Sequence, residues 1–127
     1  MTTQTVPRSA GIFLEALAGQ DFPRLAAAFS GDAQLSALVP RGLREARGAD
    51  EIRATFTRWF GDTLGFELVS SGVSQIGPRL HLHWRAHLRA TRLGDGWFVV
   101  EQQAFADTGA DGRLTRLTLL CSGYCPT

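Results

Sequence analysis

The sequence predicts an α+β domain in which three N-terminal helices pack on an antiparallel sheet. Two observations carry this. Up to Phe60 apolar residues recur mainly at helical spacing, whereas from Leu64 onward they alternate at period two. The alternating segments, around 64–76, 79–93, 97–107 and 113–122, are separated by the turn-forming strings IGP, LGDG and TGADG, so four strands are expected to run as a meander.

Taken in order, residues 1–8 read as a flexible N-terminus. Ile12, Phe13, Ala16 and Leu17 form the stripe of a first helix, with Ser9 as its N-cap and Gly19 near its stop. Asp21 reads as the cap of a second helix, with Pro23 in its first turn, a stripe of Leu25, Ala28 and Phe29, and Ser30-Gly31-Asp32 as its end. The run AQLSALV at 33–39 has strand character, and Pro40-Arg41-Gly42 can turn the chain into a partner at 43–47. A third helix follows Asp50, with Ile52, Phe56, Trp59 and Phe60 on one face and Gly61 at its end. The aromatic stripe serves either core packing or contact with a bound molecule.

At 127 residues the chain has the length of a single domain, 1–127, able to bury a core without staples. Hydrophobic residues make up 44% and the net charge is +1, so no general field exists to attract nucleic acid or an anionic membrane. All 13 basic residues are arginine, as a GC-rich bacterial coding sequence would produce, although arginine also suits planar carboxylate recognition. No charged start leads into an apolar core, and no apolar run nears the roughly 20 residues of a membrane span, so a cytoplasmic protein is expected. Cys121 and Cys125 lack zinc-site spacing and read as thiols.

Every histidine lies in RLHLHWRAHLR, Arg79 to Arg89. A strand here places Leu80, Leu82, Trp84, Ala86 and Leu88 on one face, and His81, His83 and His87 with three arginines on the other. The leucine face is expected inward. His81 and His83 could share a metal only with a third ligand such as Glu101 or a cysteine, and the arginines beside them oppose a cation; no metal site and no cofactor is expected. Glu101, Gln102 and Gln103 interrupt an apolar strand, where polar groups need partners. Glu101 can pair with Arg85 or Arg116.

FLEALAGQDFPRLAAAFSGDAQL, ARGADEIRATFTRWF and GWFVVEQQAFADTGADGRLTRLTLLCSG occur in this order between Ser9 and Gly123. They resemble the opening helices, the G-x-x-x-I helix and the final hairpin of the nuclear transport factor 2-like (NTF2-like) superfamily, in its SnoaL-like branch. The resemblance implies a cone-shaped, strongly curved sheet around the helices, an apolar pocket at the wide end, and a homodimer through the outer sheet face. It also admits cyclases, isomerases, dehydratases, epoxide hydrolases and plain ligand binders, since one fold hosts many sites. Aligned on ketosteroid isomerase, the tyrosine position falls on Phe13, the base on Ala37 and the oxyanion aspartate near Gln102. Phenylalanine and alanine neither donate nor accept a proton, so that chemistry is not expected.

The same alignment turns Val100, Gln102 and Ala104 inward, with Leu117, Leu119 and Cys121 beside them. Phe13, Leu17, Phe56, Trp59, Phe60, Leu82, Trp84, Leu117 and Leu119 are then the expected walls of a pocket for an apolar small molecule. Gln102, Glu101, Cys121 and His83 are the candidate catalytic groups. Two functions follow: an acid/base enzyme acting on an apolar oxygenated metabolite, or a non-catalytic ligand-binding or dimerisation module.

Overall fold

The computed structural model describes residues 7–127. The element order is α1 (Arg8–Ala18), α2 (Phe22–Ala27), β1 (Phe29–Val39), β2 (Gly42–Arg47), α3 (Ala49–Phe60), β3 (Gly65–Ile76), β4 (Arg79–Arg89), a 3₁₀ turn (Thr91–Leu93), β5 (Phe98–Thr108), β6 (Leu114–Cys121) and β7 (Cys125–Pro126). The sheet order is β2-β1-β6-β5-β4-β3, with β7 adding to β5. The expected meander is present as β3 to β6. One pairing is parallel: β2 occupies one edge of β1, and β6 joins the other edge in the same direction as β1. None of the described helices is long and apolar enough to cross a membrane.

Several expected boundaries move. Most of the stretch expected to be flexible, residues 1–8, lies outside the described residues, and Arg8 already opens α1. Ser9 is not the cap: Pro7 holds that position, and Ser9 sits in the first turn, where its hydroxyl donates to the Gly112 carbonyl at 2.7 Å. Asp21 caps α2 as expected, accepting from the Arg24 amide. Residues 29–32 do not end that helix but begin β1, because Phe29 pairs with Leu114 and tertiary pairing outweighs the local turn composition. Gly48, at φ +89°, takes the N-cap of α3 and leaves Asp50 in the first turn, where a carboxylate favours the helix dipole. Finally, β4 stops at Arg89 and the following residues turn away as the 3₁₀ element.

The leucine face of β4 is inward: Leu82, Trp84, Ala86 and Leu88 are all fully buried, and Leu80 nearly so. Phe13 of α1 meets the rings of Phe29, Phe56 and Trp84 at centroid distances of 5.8, 5.5 and 5.3 Å, so the space between helices and sheet is filled by aromatic contacts. Phe13→Ala is expected to cost about 3–5 kcal/mol, read as a lower urea midpoint at unchanged slope; a loss below about 1 kcal/mol would mean that this cluster does not hold the layers together.

Candidate functional site

A cleft of about 610 Å³ opens where four segments meet: the end of β1 and the hairpin turn (Val39, Pro40, Arg41, with Arg44 on β2), Trp59 near the end of α3, Arg92 and Leu93 of the 3₁₀ turn, and the β6–β7 junction from Cys121 to Tyr124. Phe98 and Gln102 of β5 complete it. The junction exists because the chain leaves the ladder after Ser122, whose amide still donates to the Glu101 carbonyl at 2.9 Å, and pairs with β5 again at Cys125–Val99.

Gln102 is the polar group at the inner end. Its side chain is 1% exposed, and its Oε1 accepts a hydrogen bond from Trp84 Nε1 at 2.7 Å. An indole nitrogen can only donate, so this bond sets the amide with its oxygen toward Trp84. Among the described residues no protein acceptor takes the Gln102 Nε2 hydrogens, and Gln102 lines the cleft. The amide nitrogen is thus the accessible end of a buried side chain, open to the cleft as a donor for a bound molecule or water.

The junction is tied to α3. Tyr124 donates its hydroxyl proton to the Trp59 carbonyl at 2.6 Å. Arg92 donates to Asp62 Oδ2 at 2.7 Å, to the Trp59 carbonyl at 2.8 Å and to the Tyr124 hydroxyl at 3.3 Å, with its guanidinium 5.0 Å from the tyrosine ring centroid. A cation at the carbonyl end of a helix is favourably placed. At Gly123 (φ +80°) a Cβ would stand 2.6 Å from Pro40 Cγ, so only glycine lets the junction seat against the hairpin turn.

Of the sequence-derived site residues, Gln102, Cys121 and Trp59 line this cleft. Phe13, Leu17, Phe56, Phe60, Leu82, Trp84 and Leu117 are fully buried and Leu119 is 3% exposed; they form solid core rather than pocket walls, because the aromatic cluster occupies the volume assigned to a ligand. Glu101 lies on the opposite sheet face, paired with Arg85 at 3.0 Å as one of its two expected partners. His83 is exposed on that same face, its ring so close to β3 that a Cβ at Gly72 would lie 2.5 Å from it. Period-two alternation puts both residues away from the cleft. His81 and His83 stack at 6.0 Å, but among the described residues no group of three or more His, Cys, Asp or Glu is placed to hold a metal.

Cys121 is half-buried and its sulfur accepts the Gly123 amide proton at 3.3 Å. Among the described residues no carboxylate or imidazole lines the cleft with it to take its proton. Its register partner lies three residues along β5 from that of Cys125, about 10 Å away and beyond the roughly 7 Å reach of a disulfide. Both cysteines are free thiols. Sequence reasoning missed Arg41, Arg44, Arg92, Leu93, Phe98 and Tyr124. The lone tyrosine was the one available signal; the others sit in strings that read as turns or ordinary strand.

The chain belongs to the SnoaL-like domain family, whose model matches residues 12–117. Its fold is the NTF2-like one shared with solved structures of low sequence identity. A Catenulispora acidiphila protein with a ketosteroid isomerase-like fold, crystallised with trimethylamine, is 15% identical with a TM-score of 0.75, over 94% of this chain and 88% of that one. Bal32a, from a soil-derived mobile gene cassette, is 19% identical with a TM-score of 0.74, over 91% and 88%. An M. tuberculosis epoxide hydrolase of the LEH-like type is 21% identical with a TM-score of 0.66, over 92% and 82%. No curated protein matches the sequence.

Burial pushes the Tyr124 phenol above its ordinary range, partly opposed by the hydrogen bond from Arg92. The chain has one tyrosine, so absorbance titration reads this group alone. A midpoint above about 10 is expected. Because the folded-state value is the raised one, the contribution to stability is complete below the unfolded-state value and is lost as pH rises through the folded-state value. A midpoint at or below that of free tyrosine would show the phenol to be solvated and the tie to Trp59 open.

Proposed function

We propose that the protein binds a small, mainly apolar molecule carrying an oxygen acceptor in the cleft beside Gln102. The observation that carries this reading is the Trp84-anchored amide, whose Nε2 donor lines the cleft without a protein partner among the described residues. Trp59, Leu93 and Phe98 supply apolar surface around it. The absence of carboxylate and imidazole from the lining favours binding over acid/base turnover. Trimethylamine, bound by the Catenulispora protein, is a poor guide here, since Arg41, Arg44 and Arg92 would repel an ammonium ion.

Gln102→Glu keeps an acceptor for Trp84 and removes the donor. Screened by thermal shift and calorimetry against aromatic ketones and acids, wild-type protein is expected to bind members of the panel, and the variant about tenfold or more weakly, in line with the loss of one buried hydrogen bond of about 1.5 kcal/mol. Equal affinity in a folded variant would remove Gln102 from recognition.

We also propose a homodimer through the outer sheet face. Leu43, Leu38 and Leu120 are register neighbours across β2, β1 and β6 and are 57%, 51% and 58% exposed, a contiguous apolar row that a second copy would cover. Light scattering on wild type and on Leu38→Glu/Leu120→Glu is expected to give dimer and monomer respectively; a wild-type monomer at micromolar concentration would refute it.

A further inference from the structure

The cleft lining collects positive charge. Arg41, Arg44 and Arg92 line it, and among the described residues no Asp or Glu does. The overall composition does not force this, because 13 basic residues face 12 acidic ones in the chain. A neighbouring cleft over β1 and β2 shows the ordinary arrangement, with Arg47 and Arg116 lying among Glu45 and Glu51. Of the three guanidiniums, Arg92 is already engaged by Asp62, the Trp59 carbonyl and Tyr124. Arg41 and Arg44 have no ion-pair partner among the described residues, and the one side-chain hydrogen bond from Arg44 goes to the carbonyl of its own neighbour, Leu43.

These two arginines are held over the cleft by the fold. Arg44 lies on the same side of β2 as buried Ala46, the side facing the helices, and is the register partner of Ala37. Arg41 sits in the turn whose Pro40 rests against Gly123. A guanidinium presents a planar fork of donors that matches a carboxylate, and this one stands beside apolar and aromatic surface from Trp59, Phe98 and Leu93.

We propose that the ligand is an apolar carboxylate anion and that Arg41 and Arg44 are the residues that select its charge. This rests on the reading that the cleft is a binding site and adds the class of molecule it takes. Gln102 then serves an oxygen at the inner end, and the arginine pair serves the carboxylate at the rim.

The test is calorimetry on the full chain with two probes of nearly the same shape, anthraquinone-2-carboxylate and anthraquinone-2-carboxamide, each carrying a ketone oxygen for Gln102. The carboxylate is expected to bind about tenfold more tightly at low salt. That preference, read as the ratio of the two affinities, should shrink as salt is raised and vanish in Arg41→Gln/Arg44→Gln, whichever way the carboxamide affinity itself moves. Equal binding of the two probes, or a preference that survives the double variant, overturns the charge selection and leaves the binding cleft standing. If neither probe binds wild-type protein, the cleft reading fails and this inference fails with it. Gly123→Ala adds a geometric check: by displacing the turn it should reduce carboxylate preference without removing either charge.

Discussion

The hydrogen bond from Trp84 Nε1 to Gln102 Oε1 is the contact on which both core and cleft depend. Trp84 is fully buried against Phe13, so its indole N–H must find a partner inside the protein or cost about 1–3 kcal/mol. Gln102 lies directly opposite it in the β4–β5 register and supplies that partner. One interaction therefore satisfies the largest core side chain and also fixes which end of the amide is left for the cleft. The polar residue inside an otherwise apolar strand is explained by packing on one side and presents a donor on the other.

The same cluster explains why activities within the NTF2-like fold do not transfer by position. At the place aligned with the isomerase tyrosine, Phe13 packs edge-on to Phe29 and Phe56, and Ala37, aligned with the base, is fully buried with Arg44 across the strand pair. Where the resemblance to the isomerase would put a proton-abstracting carboxylate, this chain has a methyl group across the strand pair from a guanidinium. The usable space lies farther out, between the hairpin turn and the β6–β7 junction, where the lining groups are guanidiniums, aromatic rings, a thiol and an amide.

Period and turn composition were enough to read the helices, the first hairpin, the meander and the inward face of β4, because each follows from local burial repeated along an element. Pairing across the chain was less legible. Ser30-Gly31-Asp32 looks like a loop but lies within β1, in the irregular stretch between the Phe29–Leu114 and Gln34–Arg116 pairings, and Ser9 looks like a cap but reaches a carbonyl 103 residues away. The candidate site was legible at Gln102, Cys121 and Trp59, whose strand or helix face could be assigned. It was not legible at Arg41, Arg92 and Tyr124, because these come from connections whose direction is set by tertiary contacts.

Those connections form a single structure. Arg92 leaves β4 on the 3₁₀ turn, reaches the last carbonyls of α3 and Asp62 just beyond them, and carries Tyr124 with it. Tyr124 in turn is placed by the residues that leave the ladder after Ser122, and Gly123 lets that segment rest on Pro40 of the first hairpin. Helix end, turn, junction and hairpin thus constrain one another around the cleft, and each contact is made by a residue outside the regular hydrogen-bonded ladder. Trp59 joins this wall to the core beneath it, packing on Phe56 and Phe60 at 5.1 and 6.3 Å. The charge of the cleft comes from Arg41, Arg44 and Arg92, on a turn, an edge strand and a 3₁₀ element rather than from the core, so it can change without repacking the core, and a shared architecture at 15–21% identity shows the fold alone.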